Sequence, residues 1–390
     1  MRPEPDGAPK LMFVLNAAFG ELFNAMYMVT GCGFRSCFAM RDPLYSLNRD
    51  TLPGASYRFE GLADLLALVD QEEPDVVCLF SGYLYAGDKI IGFDELANLL
   101  TYLEKRGIKA VTSDPFLGLV SRLPPLDLNS PVGQVLGLPI RLIGESIVGS
   151  MFSYFMRARL VLQDLPHVYV VDPDEHGVTA LPFYNPNIRR NAEQMDLPRG
   201  PAASLCAEPY WLFVLTSDYK NQIKPDGADA VHARVARKLQ ETMNEGRRAV
   251  LMAPAACVAA LENEATLKEC LFIQNCDYDR FMALLLGAEY AFYWNIFSAS
   301  VIARVLNRLP TFFFAAGHIA DENQIMFDKG MSRYYCNARP TYLPREDRLT
   351  TASLSGLALA QEEQLFRPFL ENVQHLPTPD VLVRNLLAQR

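Results

Sequence analysis

The sequence predicts an α/β protein built from two doubly wound domains with an irregular connection between them. Three observations carry that prediction. Short runs rich in Val, Leu and Phe alternate with segments of helical spacing, beginning with LMFVLN at 11–16 followed by 19–30. The strand runs are apolar throughout instead of alternating, as expected of parallel strands covered on both faces. The alternation stops between about 174 and 209, where Pro182, Pro186, Pro198 and Pro201 fall in a polar stretch, and then restarts.

In the first half, strands are expected at 11–16, 34–40, 74–82 and 108–114, and a later one at 168–173. Helical spacing over 19–30 aligns Leu22, Phe23, Met26 and Val29, and the same period recurs over 60–70 and 94–106. The second half reads as strand 211–217, helix 229–246, strand 247–254, helix 257–263, strand 270–274, helix 278–287, strand 288–294, helix 298–308, strand 310–316 and helix 321–330. Amphipathic segments at 357–373 and 378–389 close the chain. The expected divisions are a domain over 8–175, a connection over 176–209, a second domain over 210–355 and final helices over 356–390.

Composition narrows the function classes. The chain has 390 residues, of which half are apolar and 11% aromatic, which excludes disorder. The 36 Lys and Arg against 45 Asp and Glu leave a charge of −9, which argues against a nucleic-acid binder while permitting a local pocket for one phosphorylated ligand. Eight cysteines, Cys32, Cys37, Cys78, Cys206, Cys257, Cys270, Cys276 and Cys336, show neither CxxC spacing nor nearby His pairs. They are expected to be reduced thiols, and no metal site is expected. The start MRPEPDGAPK lacks an apolar signal core. The apolar stretches 11–34 and 136–156 are interrupted by Asn16, Glu21 and Asn24 and by Arg141 and Glu145, short of the roughly 20 clean residues of a membrane span. A cytoplasmic location is the expectation.

The second half carries a more specific pattern. Leu284-Leu285-Leu286 precede Ala288-Glu289-Tyr290, then come Phe297-Ser298-Ala299-Ser300, Leu309-Pro310, Phe312-Phe313-Phe314, Asp321-Glu322-Asn323 and Gly330. In order and spacing, the run 276–330 resembles the C-terminal domain of glycosyltransferases of the GT-B fold. The resemblance implies two Rossmann-like domains facing a cleft, a nucleotide sugar held mainly by the second, and final helices that cross back to the first. The sequence also departs from the family pattern. The usual Gly-rich turn is Asn295-Ile296-Phe297, the ribose-binding Glu is Ala303, and the first strand is followed by Asn16-Ala17-Ala18-Phe19-Gly20-Glu21 in place of a Gly-rich loop and His.

Sugar transfer from a nucleotide requires stabilisation of the departing diphosphate and removal of a proton from the acceptor. Ser298, Ala299 and Ser300 stand where a helix should begin at the carboxyl edge of a strand, a place suited to phosphate; Asn295 precedes them, and Ser298 is equally suited to be a simple N-cap. Thr216, Ser217 and Lys220, with Lys224, fall in the expected loop after strand 211–217. His318, Asp321 and Glu322 follow strand 310–316; the resemblance implies that the acidic pair bonds sugar hydroxyls, while Asp321 as N-cap and Glu322 as first-turn acid is the plainer role. On the acceptor side, Glu21 and Asp114 are the candidate bases, with Asn16, Phe19, Gly20 and Ser81 near them; a first-turn acid and a turn residue are their alternatives. Phe19, Phe23, Tyr27, Phe34, Tyr83, Tyr85 and Phe116 belong either to the core or to a platform for an apolar or aromatic acceptor. The stretch 142–156 reads as a buried helix, a dimer contact or a lid.

The expected function is therefore metal-independent glycosyl transfer from a nucleotide-sugar co-substrate, with no other cofactor, to a small apolar or aromatic acceptor. Two alternatives stand beside it: an inactive binding or assembly partner of the same fold, and a sugar-nucleotide epimerase or hydrolase. A homodimer and peripheral membrane contact are left open.

Overall fold

The computed structural model describes residues 7–16, 19–80, 90–113, 160–162, 179–188, 208–215, 219–317, 320, 324, 327–328 and 331–388. They form two compact units, Met1–Asn187 with Val373–Arg390, and Ile188–Asn372. The expected strand at 168–173 and the stretch 142–156 lie outside the described residues, as does most of the expected helix 321–330.

Over the described residues, the first unit is a seven-stranded parallel sheet. Its strands are β1 (Lys10–Leu15), β2 (Arg35–Met40), β3 (Ala55–Arg58), β4 (Val76–Leu79), β5 (Lys109–Ser113), β6 (Leu160–Leu162) and β7 (Thr179–Leu181), in the order β3-β2-β1-β4-β5-β6-β7. β1 lies between β2 and β4, with Leu11 opposite Ser36 on one side and Val76 on the other. Because successive side chains point to opposite faces, Met12 and Val14 enter the core under α3 (Leu62–Glu72) and α4 (Phe93–Lys105). Phe13 faces the other way and stacks on Phe38 and Phe80. The remaining helices of this part are α1 (Phe19–Val29) and the short α2 (Leu44–Asn48).

Every residue of α1 from Glu21 to Val29 is buried, so the helix is covered on all sides. Its end is closed from far along the chain. The Asn185 side-chain amide donates to the carbonyls of Tyr27 (2.6 Å) and Thr30 (2.8 Å), two groups the helix itself leaves unbonded. The Tyr27 hydroxyl accepts the Asn185 backbone N–H at 2.9 Å. Gly31 takes φ +71° just beyond the helix, and a Cβ there would lie 2.8 Å from the Asn187 side chain, so both conformation and space require glycine. Asn185 and β7 come from the stretch read from sequence as the connection between domains; here they are part of the first unit.

The second unit, over the described residues, is a six-stranded parallel sheet of β8 (Tyr210–Val214), β9 (Arg248–Met252), β10 (Leu271–Ile273), β11 (Tyr290–Tyr293), β12 (Thr311–Phe313) and β13 (Thr341–Tyr342). Its order, β10-β9-β8-β11-β12-β13, repeats that of the first sheet strand for strand over six positions. Its helices are α5 (Tyr219–Asp226), α6 (Ala228–Asn244), α7 (Ala255–Leu261), α8 (Tyr278–Gly287), α9 (Ala299–Leu306), α10 (Thr351–Gln361) and α11 (Arg367–Val373). One face of the sheet is an aromatic layer in which Phe213, Phe292 and Phe314 stack on one another. Beyond β12, buried Gln361 accepts the Thr311 N–H at 2.9 Å and donates to the Thr311 carbonyl at 2.7 Å, pairing with that backbone as a neighbouring strand would. The chain returns to the first unit at Val373 with α12 (Pro379–Ala388), where Asp380 accepts the Gly33 N–H at 2.9 Å.

The seven described cysteines are all free, and burial pushes the Cys37 thiol up to about 12 and Cys257 to about 11. Among the described residues no helix is long and apolar enough to cross a membrane.

Candidate functional site

In a doubly wound sheet, ligands bind where the strand order reverses, beyond the carboxyl ends of the strands. In the second unit that point lies between β8 and β11. The chain leaving β11 forms a short loop, Trp294 to Ser298, before α9 begins. The Asn295 side chain accepts the Phe297 N–H at 2.8 Å, a local bond that turns the backbone without needing the family's glycines. Gly317, at φ +99° after β12, lies so close that a Cβ would fall 2.6 Å from the Asn295 oxygen. Ile296 is held from both sides: its N–H donates to the Ala316 carbonyl at 3.3 Å, and its carbonyl accepts the buried Tyr335 hydroxyl at 2.7 Å. The loop is thus fixed before any ligand arrives.

Ser298 occupies the N-cap position of α9 with extended backbone (φ −92°, ψ 132°), but its side chain makes no capping bond. Its hydroxyl instead meets that of Ser300 at 2.8 Å. Ser298 thus stands at the expected N-cap position, but its hydroxyl pairs with that of Ser300, two residues on, instead of with a helix amide. Ser298 is half-buried and Ser300 buried, while the amides opening the helix offer the partial positive charge that suits an anion. Ala303, standing where the resembled family has a ribose-binding Glu, is fully buried.

Beneath the start of α9 lies a group of residues that sequence reasoning missed. Tyr293, at the end of β11, is fully buried, and burial pushes its hydroxyl up to about 12 against the Arg304 charge and the Ser300 hydroxyl. Arg304, one turn beyond Ser300 on α9, is also fully buried. Its guanidinium donates to the carbonyls of Leu285 (2.6 Å), Ala288 (3.0 Å) and Pro310 (2.7 Å), closing the carboxyl end of α8. No carboxylate pairs with it among the described residues, and burial lowers its pKa to about 10, so it stays charged at neutral pH. The available signal was one cation in ASVIARVL, which is apolar apart from Ser300 and Arg304. Tyr335, 39 residues from Ile296, gave none.

The first unit has the matching edge beyond β1. Glu21, in the first turn of α1, accepts the Asn16 N–H at 2.6 Å, and each residue is only 4% exposed. Gly20 is exposed, and Phe19 opens the helix. Phe23 and Tyr27, considered as acceptor platforms, are buried core residues of α1, because that helix has no solvent face. Lys220 and Lys224, expected in a loop, lie on α5; Lys224 is exposed in its last turn. Ser81, Asp114, Thr216, Ser217, His318, Asp321 and Glu322 lie outside the described residues, as do Tyr83, Tyr85 and Phe116. The structure brings together Asn295, Ser298, Ala299 and Ser300 at one edge and Asn16, Gly20 and Glu21 at the other.

Two parallel sheets of the same strand order, with the last helix returned to the first unit, define a two-domain Rossmann-like architecture, the GT-B fold. Solved structures agree. The chain superimposes on the spinosyn forosaminyltransferase SpnP with 14% identity over 98% of this chain and 100% of that one, at a TM-score of 0.50. It superimposes on UGT2 of Phytolacca americana, solved with UDP-2-fluoro-glucose and pterostilbene, with 10% identity over 98% and 99% of the two chains, at 0.51. A protein assigned as a UDP-N-acetylglucosamine 2-epimerase from Listeria monocytogenes gives 11% identity over 98% and 95%, at 0.50. Likeness at such identities is one of fold. No family model matches the chain, and no curated protein matches it in sequence.

Proposed function

We propose that the protein is a glycosyltransferase that moves a sugar from a nucleotide donor to a small-molecule acceptor. The observation that carries the reading is the uncapped start of α9 at the β8/β11 switch point, where Ser298 and Ser300 pair with each other on a loop already clamped by Tyr335, Ala316 and Gly317. Preorganised donors of this kind stabilise charge as it develops on a departing diphosphate, and do so without reorganising during the reaction. In this reading Asn295, Ser298, Ala299 and Ser300 hold the phosphates together with Thr216, Ser217 and Lys220, and His318, Asp321 and Glu322 face the sugar. Glu21 takes the acceptor's proton, with Asp114 as the other candidate; the Asn16 N–H holds the Glu21 carboxylate in one orientation, as a positioned base requires. Protein groups, not a metal ion, carry the phosphate charge. Fold-sharing enzymes that use UDP-sugars are consistent with the assignment, the UGT2 complex being one.

A specific observation favours a second reading. Ala303 is buried where the resembled family places its ribose-binding Glu, which fits a binding or assembly partner that has lost catalysis. One experiment separates the two. A thermal-shift panel of UDP, GDP, ADP, CMP and dTDP and their sugars, with and without EDTA, is followed by a donor-hydrolysis assay. A nucleotide at a hundred times its Kd stabilises the folded form by about 2.7 kcal/mol. The expected result is a shift with one nucleotide, insensitive to EDTA and lost in Ser300→Ala, together with turnover of its sugar. A shift without turnover of any sugar, or no shift with folded protein, sinks the transferase reading and moves the partner reading ahead, with co-purification as its test.

A further inference from the structure

Two serine hydroxyls facing each other leave the direction of their hydrogen bond undetermined: in the Ser298–Ser300 pair either oxygen can be the donor. If Ser298 donates inward, its proton is spent on Ser300 and it offers only lone pairs to a ligand, the wrong character for an anion. A donor placed behind Ser300 would set the direction outward. Tyr293 is in that place. Its hydroxyl is completely buried beside Ser300, yet it makes no hydrogen bond of good geometry to any described residue. Such a group is costly in a folded protein and calls for a reason. Packing is not the reason, because the ring lies against Phe313 at 5.9 Å and a phenyl group would fit as well.

We propose that Tyr293 is a positioning residue that donates to Ser300, so that Ser300 donates to Ser298 and Ser298 presents its proton to an anionic oxygen at the start of α9. The inference rests on the phosphate-binding reading above. Burial raises the Tyr293 pKa to about 12, which keeps the hydroxyl protonated and a donor throughout the neutral range. Arg304, on the next turn of α9, sets a buried positive charge beside the tyrosine at the inner end of the chain of hydroxyls. Chains of hydrogen bonds polarise one another, so a donor and a cation at one end strengthen the bond offered at the other. A carboxylate in place of Tyr293 would do the reverse, accepting from Ser300 and turning both serine protons inward.

Tyr293→Phe removes the direction and leaves the contacts. Calorimetric titration of the parent, Tyr293→Phe, Ser300→Ala and the double variant with UDP, GDP, ADP and dTDP, each against its nucleoside, tests the relay. The phenylalanine variant is expected to stay folded, yet to bind the diphosphate about threefold to tenfold more weakly with nucleoside affinity unchanged. The double variant is expected to be no weaker than Ser300→Ala alone, because both changes cut one chain. Unchanged diphosphate affinity in Tyr293→Phe overturns the relay while the anion site stands. Equal weakening of nucleoside and diphosphate also overturns it, by assigning Tyr293 to packing. If the folded parent binds no diphosphate, the anion-site reading itself fails and the relay fails with it.

Discussion

The two sheets share one strand order, but their carboxyl edges are finished differently. At the first, the carboxylate that opens α1 turns back onto the strand before it, and Glu21 and Asn16 are both buried. At the second, the residue opening α9 declines the local bond available to it, and two hydroxyls meet above a buried tyrosine and a buried cation. The first edge carries a buried carboxyl group that accepts a backbone N–H; the second carries hydroxyls, a helix start and a positive charge beneath it. The second is the one with the partial positive charge that suits an anion; in the proposed reading the first supplies the base. One topology used twice thus carries two differently finished edges, and local side-chain chemistry, not strand order, creates the difference.

The strongest way to break this comparison is Glu21→Gln. A glutamine oxygen can still accept the Asn16 N–H, so the edge keeps its shape while losing a group able to take a proton. Activity is expected to fall by about 10²–10⁴-fold, the usual contribution of a general base, with the melting temperature nearly unchanged. An enzyme within threefold of the parent would assign Glu21 to the fold and move the search to Asp114. On the other side, Arg304→Met removes the buried charge and strands the carbonyls of Leu285, Ala288 and Pro310. Each acceptor left bare costs about 1–3 kcal/mol, so urea denaturation is expected to show a loss of about 3 kcal/mol or more. A variant as stable as the parent would leave the cation no part in closing α8 and make the anion edge its remaining explanation.

How much of this was legible depended on how local the determinants are. LMFVLN and WLFVLTS announce central parallel strands because both their faces are covered. Ser298 was legible as a helix start from its residue type and neighbours, though its side chain makes no capping bond. The short edge strands were not: β3 is the half-exposed ASYR, β7 is TAL and β13 has two residues, too little for any period to show. Helix α5, YKNQIKPD, is too polar for its spacing to announce it. The residues that hold the elements in place were hidden for a different reason. Asn185 closes a helix 158 residues away, and Tyr335 reaches Ile296 from the end of a short π-helix, so neither has a sequence neighbour that reveals its partner. Phe23 and Tyr27 looked available because helical spacing shows which residues share a face but not whether the opposite face is also covered.

The far end of α9 gives the smallest and most direct comparison with the resembled family, whose pattern places glycine two residues before the proline. Here that residue is Arg308, at φ +55°, with its N–H donating to the Val305 carbonyl at 3.0 Å. A non-glycine residue in this region costs roughly 1–2 kcal/mol. Arg308→Gly relieves that strain but gives up some chain entropy, about 0.5–1 kcal/mol, and the ion pair with Glu362 at 3.3 Å. The pair is largely solvent-exposed, so it contributes about 0–1 kcal/mol. The terms nearly cancel, and a net stabilisation of about 0.5 kcal/mol or less is expected, read as a rise of at most a degree or two in melting temperature. Salt decides which term dominates. If the ion pair matters, added salt should weaken the parent relative to the glycine variant, because exposed pairs are screened; if strain matters, the gap between them should not respond to salt. A clear loss of stability in the glycine variant at every salt concentration would mean that the arginine side chain anchors the end of α9, and that this end, like its start, is built on side chains where the resembled family relies on glycine.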